Sequence, residues 1–228
     1  MKHIVQYSGG VGSAMAAYLV AKKVDKKDII LLFHDVKGGH CEDMYRFNKD
    51  FEKFIGLKIT EISLEKDFWQ VIEDNKCLPN MFIPFCTRKF KLEVADKYYK
   101  TLNESFVLYN GYCAEEAKRV NKAREKAKIH TEYPVFDAGL TSADCKRIIS
   151  QEWGLQLPKA YQWFEHNNCL PCFKSTSKKY WRLVYEHYPE RYQKAVEAEE
   201  KSKKGYTHFK NISLRQLAEN WENEQTLF

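Results

Sequence analysis

The chain has 228 residues, of which 44% are hydrophobic and 14% aromatic, so we expect one sizeable core, alone or with a smaller C-terminal elaboration, and exclude a disordered chain. No apolar run reaches the ~18 residues that span a bilayer, and the first residues lead directly into a strand pattern. These features predict a cytoplasmic protein with no signal peptide and no membrane partner. The net charge of +6 is modest, and seven cysteines, an odd number, argue against a disulfide framework.

Short apolar runs alternate with amphipathic stretches along much of the chain. The runs predict strands over residues 3–7, 29–34, 58–63, 106–111 and 133–136. The amphipathic stretches predict helices over residues 14–23, 42–55, 67–75, 89–102 and 114–128. This alternation predicts an α/β fold: a Rossmann-like parallel sheet of about five strands with helices on both faces.

Strand patterns fade after Gly139, and helical patterns replace them. A capping box begins at Thr141, with Asp144 three residues later. Further helices are predicted over residues 145–152, 179–200 and 213–222. We therefore expect an α/β domain over residues 1–138 and a helical C-terminal cap over residues 139–228.

A glycine-rich loop follows the first strand and opens the first helix. It consists of Ser8, Gly9, Gly10, Val11, Gly12 and Ser13. Glycines let the backbone approach a phosphate closely, and the first N–H groups of a helix point toward an anion bound there. The loop lacks the Gly-Lys-Ser/Thr of a Walker A motif and the Gly-x-Gly-x-x-Gly of a dinucleotide fingerprint. It therefore predicts an anion site of another kind, at the carboxyl end of the first strand.

Four further motifs follow the loop along the chain. They are Phe33-His34-Asp35, Phe85-Cys86-Thr87-Arg88-Lys89-Phe90-Lys91, the segment from Gly111 to Arg119, and Cys169-Leu170-Pro171-Cys172. Together with the loop, they resemble the phosphoadenosine phosphosulfate (PAPS) reductase-like family of the adenine nucleotide alpha hydrolase superfamily, whose members carry a pyrophosphate-binding loop (PP-loop). The resemblance runs from about residue 3 to residue 200.

The resemblance implies a site for ATP or an adenylyl sulfate, with Mg²⁺, and chemistry at the alpha-phosphate. The nucleotide-binding residues that it implies are Ser8, Gly9, Gly10, Val11, Gly12, Ser13, Phe33, Asp35 and Gly111. The residues for which it implies catalytic roles are Ser13, Arg88, Lys89, Glu116 and Arg119.

Several of these side chains also have a structural interpretation. Asp35 can accept from a ribose hydroxyl, hold a metal ion or cap a helix. Arg88 and Lys89 can bind phosphate or sulfate through charge-assisted hydrogen bonds, or they can lie on a solvated helix face. Glu116 and Arg119 stand one helical turn apart and can form a local ion pair. The family pattern Gly-x-x-x-x-Glu-x-x-Arg favours a role near the nucleotide instead.

Four cysteines are expected to bind metal. Cys169 and Cys172 form a two-ligand hook of the kind found in zinc and iron–sulfur sites. Cys86 stands where the iron–sulfur members of the family place a cysteine pair, but its neighbour is Phe85, so one ligand is missing there. Cys145, in the first turn of a helix that favours thiolates, is expected to replace it. The four predict a [4Fe–4S] cluster more than zinc, and ordinary buried thiols are the alternative.

The last cysteine of the chain bears on the reaction. Sulfonucleotide reductases of this family carry a catalytic cysteine in a Cys-Gly-Leu-His segment near the C-terminus, and no cysteine follows Cys172 here. We therefore expect an ATP pyrophosphatase that adenylates a substrate, linked to sulfur transfer as in the tRNA and DNA thiolation enzymes that the family resembles. The alternatives are a sulfonucleotide reductase that uses another thiol and a non-catalytic nucleotide-binding subunit.

Basic stretches suggest partners. Between Lys118 and Lys128, six basic residues stand against one acid, Glu125. They predict contact with nucleic acid, either tRNA or DNA, or else a solvated helix face. A sulfur-donor protein and a second copy in a homodimer complete the expected partners.

Overall fold

The computed structural model describes residues 1–167, 169–203 and 206–225, and it contains a five-stranded sheet flanked by helices. The strands are β1 (Lys2–Tyr7), β2 (Ile29–Asp35), β3 (Ile59–Ser63), β4 (Phe106–Tyr109) and β5 (Thr131–Glu132). All neighbouring strands are parallel, in the order β3-β2-β1-β4-β5. The predicted α/β fold with about five parallel strands is therefore confirmed.

The α-helices alternate with these strands and then follow one another toward the C-terminus. They are α1 (Val11–Ala21), α2 (Glu42–Ile55), α3 (Phe68–Asn75), α4 (Phe85–Thr87), α5 (Val94–Tyr99), α6 (Ala117–Lys126), α7 (Pro134–Asp137), α8 (Ser142–Arg147), α9 (Lys178–His187), α10 (Pro189–Glu200) and α11 (Leu214–Gln225). Short 3₁₀ turns lie at Lys26–Asp28, Ala114–Glu116 and Lys159–Gln162, and π-helical turns at Arg88–Glu93 and Ile148–Glu152.

Five predicted elements differ from the structure. The helices predicted over residues 114–128 and 145–152 are each divided between an α-helix and a 3₁₀ or π-helical turn. The fifth strand precedes its predicted position, because Pro134 starts helix α7. The helix predicted over residues 89–102 is divided between a π-helical turn and α5. The helix predicted over residues 179–200 is two helices, because Pro189 lacks the N–H that would continue α9 and instead takes the first position of α10.

The predicted capping box is present at the start of α8. The backbone N–H of Asp144 donates to the Thr141 hydroxyl at 3.1 Å, and the Asp144 carboxylate accepts from the Thr141 N–H at 3.0 Å. These reciprocal bonds satisfy donors that a helix N-terminus otherwise leaves open, and so fix where α8 begins.

The core around the sheet forms because its inner strands are apolar on both faces, as buried parallel strands must be. Ile4, Val5, Leu31, Leu32 and Phe33 are fully buried on β1 and β2. Helices α1 and α2 cover these strands with buried side chains that include Met15, Val20, Phe47 and Phe51. This packing fixes the loop that joins β1 to α1.

Two compact units are interleaved along the chain. Unit 1 comprises Met1–Asp35, Glu42–Ser63 and Val94–Asn167, and it holds the sheet. Unit 2 comprises Val36–Cys41, Leu64–Glu93 and Asn168–Phe228. Residues 139–167 belong to unit 1, and the predicted division into an α/β domain over residues 1–138 and a helical cap over residues 139–228 stays a prediction. Within the described ranges, no helix combines the length and the apolar character that crossing a membrane requires.

Candidate functional site

The candidate site lies where the order of the strands reverses. From β1 the chain proceeds to β2 and β3 on one side, and it then returns to β4 and β5 on the other. Strands β1 and β4 are therefore neighbours, with Val5 paired to Tyr109. In open parallel sheets, ligands bind in the crevice beyond the carboxyl ends of two such strands. The glycine loop follows β1 and Gly111 follows β4, so both border this crevice.

These two segments meet backbone to backbone. A Cβ placed on Gly12 would lie 2.3 Å from the carbonyl oxygen of Gly111, and a Cβ on Gly111 would lie 2.3 Å from the carbonyl oxygen of Gly12. Real Cβ atoms do not approach backbone oxygens so closely, so only glycine fits at either position. The contact sets the first turn of α1 against the end of β4.

Gly9 and Ser13 set the conformation of the loop. Gly9 has a φ of +72°, which glycine adopts without steric cost, and a Cβ there would lie 2.6 Å from Cγ of Met44. The Ser13 hydroxyl accepts from the N–H of Ser8 at 3.0 Å and donates to the carbonyl of Gly10 at 2.9 Å. The loop is therefore held in shape by its own serine.

The N-terminus of α1 gives the loop its electrostatic character. The helix begins at Val11, with Gly10 as an N-cap that has no side chain to satisfy the first N–H groups. Its first turn contains no acidic residue, so no carboxylate of that turn neutralises the positive end of the helix dipole. Backbone N–H groups and two serine hydroxyls together can bind an anion.

Two side chains outside the motifs hold this loop. The N–H of Val11 donates to Oη of Tyr161 at 3.0 Å, and Nδ2 of Asn167 donates to the carbonyl of Gly9 at 2.9 Å. Burial raises the pKa of Tyr161 to about 12, so its hydroxyl is neutral at ordinary pH.

Asp35 and Phe33 lie at the end of β2. Asp35 is buried, and one of its oxygens accepts from the Tyr45 hydroxyl at 2.5 Å. It does not cap α2, which begins at Glu42. The side chain of Phe33 is fully enclosed and packs edge-on against the Tyr7 ring. Any contact of Phe33 with a ligand must therefore use its backbone.

Glu116 and Arg119 form the local ion pair, with 2.8 Å between the charged atoms. The same carboxylate accepts from the N–H of Cys113 at 3.0 Å. The guanidinium of Arg119 lies 4.3 Å from the centroid of the Tyr112 ring. Both residues therefore support the turn after Gly111, and their predicted catalytic roles stay predictions.

Arg88 and Lys89 belong to unit 2. They open the π-helical turn that follows α4, and Arg88 is exposed, 3.4 Å from the carboxylate of Glu93. Lys89 is half-buried. Their predicted contacts with phosphate or sulfate stay predictions.

The matched family accounts for this arrangement. The family model of the phosphoadenosine phosphosulfate reductase domain matches residues 2–190, a span that includes the glycine loop and all five strands. The chain belongs to this family. It is therefore a member of the adenine nucleotide alpha hydrolase superfamily, and the resemblance drawn from the motifs is confirmed. A comparison of this PAPS reductase-family chain with curated proteins finds no match.

Three of the cysteines expected to bind metal in this PAPS reductase-family protein lie together in unit 2. Cys86 interacts electrostatically with Cys169 and Cys172. Burial raises the pKa of all three thiols, and the positive charge of Lys174 opposes that rise.

Cys145 has a different partner. It lies in unit 1, fully buried in the core, and its thiol hydrogen-bonds with that of Cys113. This bond lowers the pKa of Cys113, because the neutral Cys145 thiol donates to the Cys113 sulfur. Among the described residues, no group of three or more His, Cys, Asp or Glu side chains is arranged to hold a metal ion. As placed, the four cysteines do not form one site for an iron–sulfur cluster or a zinc ion.

Sequence reasoning missed three residues at the loop. Tyr161 and Asn167 lie between Gly154 and Cys169, outside every motif that the sequence analysis identified, so no local signal marks them. Cys113 is a buried thiol that follows Gly111 and was given no role in the sequence analysis. Its sulfur lies 3.3 Å from the point that a Cβ on Gly12 would occupy.

Proposed function

We propose that this PAPS reductase-family protein binds ATP at the glycine loop and acts at the alpha-phosphate, as an ATP pyrophosphatase that adenylates a substrate. The contact between Gly12 and Gly111 carries the proposal, because it sets the N-terminus of α1 at the strand crevice. Backbone N–H groups and the hydroxyls of Ser8 and Ser13 suit a pyrophosphate group. A nucleotide-binding function of the PP-loop type also follows from the family.

The reaction is proposed in two steps. A substrate oxygen attacks the alpha-phosphorus of ATP, the bond to the bridging oxygen breaks, and pyrophosphate leaves while AMP stays on the substrate. A sulfur or nitrogen nucleophile then displaces AMP. Positioning and electrostatic stabilisation carry most of such chemistry.

Each residue with a predicted catalytic role has a function in this scheme. The loop with Ser13 holds the departing pyrophosphate. Arg88, Lys89 and Arg119 are proposed to balance phosphate charge, and Glu116 to orient Arg119. Mg²⁺ would neutralise part of that charge, with Asp35 as the proposed carboxylate ligand.

A sulfonucleotide reductase is the second candidate. The matched domain is named for that reaction, and unit 2 brings Cys86 within interaction range of Cys169 and Cys172. Such an enzyme would release sulfite from an adenylyl sulfate, whereas the first candidate releases pyrophosphate from ATP.

Nucleic acid is the partner that we propose for helix α6. Lys118, Lys122 and Lys126 are exposed on this helix. Such a basic face suits a phosphate backbone. A sulfur-donor protein and a homodimer stay predictions.

The two enzyme candidates are separated by their products. Purified protein is incubated with ATP plus Mg²⁺, or with PAPS plus a thiol reductant, and pyrophosphate and sulfite are measured. The double variant Ser13→Ala with Gly10→Ala should abolish pyrophosphate release, while Ser150→Ala, which removes an exposed hydroxyl on the π-helical turn after α8, should not. Sulfite without pyrophosphate would favour the reductase, and nucleotide binding without either product would favour a non-catalytic subunit.

A further inference from the structure

The hydroxyl of Tyr161 contacts the glycine loop as a hydrogen-bond acceptor, and its own proton is left to donate elsewhere. Its oxygen accepts from the N–H of Val11 at 3.0 Å, and the backbone N–H of Asn167 interacts with the same oxygen. A phenol oxygen accepts at most two hydrogen bonds and donates one. With N–H groups on two sides, the O–H must point away from both, and among the described residues no acceptor receives it.

Asn167 has an unpaired hydrogen-bond acceptor near the same loop. Its side chain is 8% exposed, and Nδ2 is bound to the carbonyl of Gly9. Its Oδ1 is buried without a hydrogen-bond partner in the described part of the chain. An unpaired buried group of this kind costs about 1–3 kcal/mol, so it marks a place where water or a ligand binds.

Asn48 repeats this pattern on the other side of Gly9. Its Oδ1 accepts from the Tyr7 hydroxyl at 3.1 Å and lies 3.0 Å from the point that a Cβ on Gly9 would occupy. Its Nδ2 is buried without a partner within the described ranges. Unused polar groups therefore border the loop from helix α2 and from the segment that carries Asn167, both in unit 1.

The Cβ position on Gly10 lies between Tyr161 and the loop, in close contact with both. A Cβ on Gly10 would lie 3.3 Å from Oη of Tyr161 and 3.5 Å from Oγ of Ser8. A ligand oxygen near that point can therefore meet both hydroxyls. Glycine at this position keeps the point free.

The segment that carries Tyr161 is fixed to α2. Arg46 donates to the carbonyls of Gln156 and Leu157, each at 3.2 Å, and the Asp43 carboxylate accepts from the N–H of Lys159 at 2.7 Å. Arg46 and Asp43 are themselves paired at 2.8 Å. The Tyr161 hydroxyl is therefore held in place before a ligand binds.

We infer that Tyr161 is a phosphate-binding residue, whose hydroxyl donates to an oxygen of the nucleotide phosphate held over Gly10. Asn167 positions the loop for that contact through the carbonyl of Gly9. The inference rests on the proposed function, since it adds a contact to the same nucleotide site. A neutral phenol suits this role because it adds a donor to the site without adding a negative charge beside the phosphate.

The test compares a nucleotide with its phosphate-free analogue. Dissociation constants for ATP and for adenosine are measured by calorimetry on wild type, Tyr161→Phe and the control Tyr109→Phe. The control removes another hydroxyl of unit 1, whose partner is Nδ1 of His3 at 2.8 Å. We expect Tyr161→Phe to weaken the affinity for ATP about 10- to 100-fold, because the contact with the phosphate is lost. The affinity for adenosine, which has no phosphate, should change by less than about twofold. Tyr109→Phe should leave both constants unchanged.

Two results would overturn the inference. Unchanged ATP affinity in Tyr161→Phe would show that the hydroxyl does not meet the phosphate. Equal losses for ATP and adenosine would show that Tyr161 only supports the fold of the loop. In either case wild type still binds ATP, so the proposed function would stand. Wild type that binds neither ATP nor PAPS would remove the proposed function and this inference together.

A second variant covers the case in which Tyr161→Phe folds poorly. Gly10→Ala places a methyl group between the hydroxyls of Tyr161 and Ser8, so it should weaken the binding of ATP and leave the binding of adenosine unchanged. Full retention of ATP affinity in Gly10→Ala would contradict a phosphate at that point.

Discussion

Gly12 and Gly111 face each other so closely that a Cβ on either residue would lie 2.3 Å from the carbonyl oxygen of the other. The contact joins the loop after β1 to the turn after β4, at the point where the strand order reverses. It explains why glycine is required at two positions far apart in the sequence, neither of which has a positive φ. The requirement comes from tertiary packing and not from local backbone conformation.

Gly12→Ala should disrupt both the fold of the loop and nucleotide binding. The added methyl group cannot be accommodated, because the neighbouring atom is a backbone oxygen, and we expect a loss of about 3 kcal/mol or more. Thermal unfolding and ATP binding would measure the effect. Gly10→Ala is the matched control for stability, since its nearest neighbour is a hydroxyl at 3.3 Å. Equal stability of the two variants would contradict the packing argument.

Ser13→Ala should loosen the loop. Ser13 is 5% exposed, and its hydroxyl bonds to the N–H of Ser8 and to the carbonyl of Gly10. Removing it deprives the part-buried N–H of Ser8 of its acceptor, and the loss of one such hydrogen bond costs about 0.5–1.5 kcal/mol. We expect weaker ATP binding and slower pyrophosphate release, measured beside Ser150→Ala. Wild-type pyrophosphate release by Ser13→Ala would exclude a role for this hydroxyl.

Arg46→Ala should change how stability depends on acid pH. Hydrogen bonding from Arg46 lowers the pKa of Asp43 below its ordinary value of 3.8. The resulting stabilisation is present above the unfolded pKa and is lost as the pH falls through the folded pKa. Wild type should therefore lose stability below about pH 4, and Arg46→Ala should lose less there. Denaturant unfolding from pH 2 to 7 is the measurement, with Lys58→Ala as a surface control; parallel curves for wild type and Arg46→Ala would refute the prediction.

Glu199 should give the opposite pH dependence. Burial raises its pKa above the ordinary value of 4.5, although the N–H groups of His208 and Leu214 donate to it, each at 2.6 Å. The folded state then keeps the proton to a higher pH than the unfolded state, so this group's contribution falls as the pH rises from about 4.5 through the folded pKa.

Glu199→Gln should remove this decline and lower stability by about 1–3 kcal/mol near pH 7, because the amide cannot accept both bonds. The exposed Glu197→Gln on the same helix is the control. A pH profile of Glu199→Gln with the wild-type slope would show that another group carries the dependence.

Metal content should distinguish the two groups of cysteines. Cys145 bonds to Cys113 in the core of unit 1, whereas Cys169 interacts with Cys86 and Cys172 in unit 2. Any iron or zinc in protein purified without oxygen should therefore be lost in Cys169→Ser and kept in Cys145→Ser. Elemental analysis and the absorption spectrum would measure it. Loss of metal in Cys145→Ser would restore the four-cysteine site predicted from the sequence.

Local patterns predicted the fold because they report on backbone geometry and burial. Alternating apolar runs and amphipathic stretches gave the parallel sheet, and the glycine loop was placed at the end of β1 where the structure has it. Errors in the predicted elements occur where a single residue sets the boundary of a helix. Pro134 and Pro189 each begin a new helix inside a segment whose apolar pattern continues through them.

The amino-acid sequence by itself determined the fold class and the family, and it predicted an anion site at the glycine loop, since each of these depends on motifs whose residues lie close together in the chain. Only the tertiary structure decided which side chains surround that loop. Tyr161 and Asn167 reach it through the segment that Arg46 fixes, and Cys145 turns to Cys113 instead of the other thiols. Such contacts depend on how distant elements pack, and no periodicity or spacing along the chain encodes them.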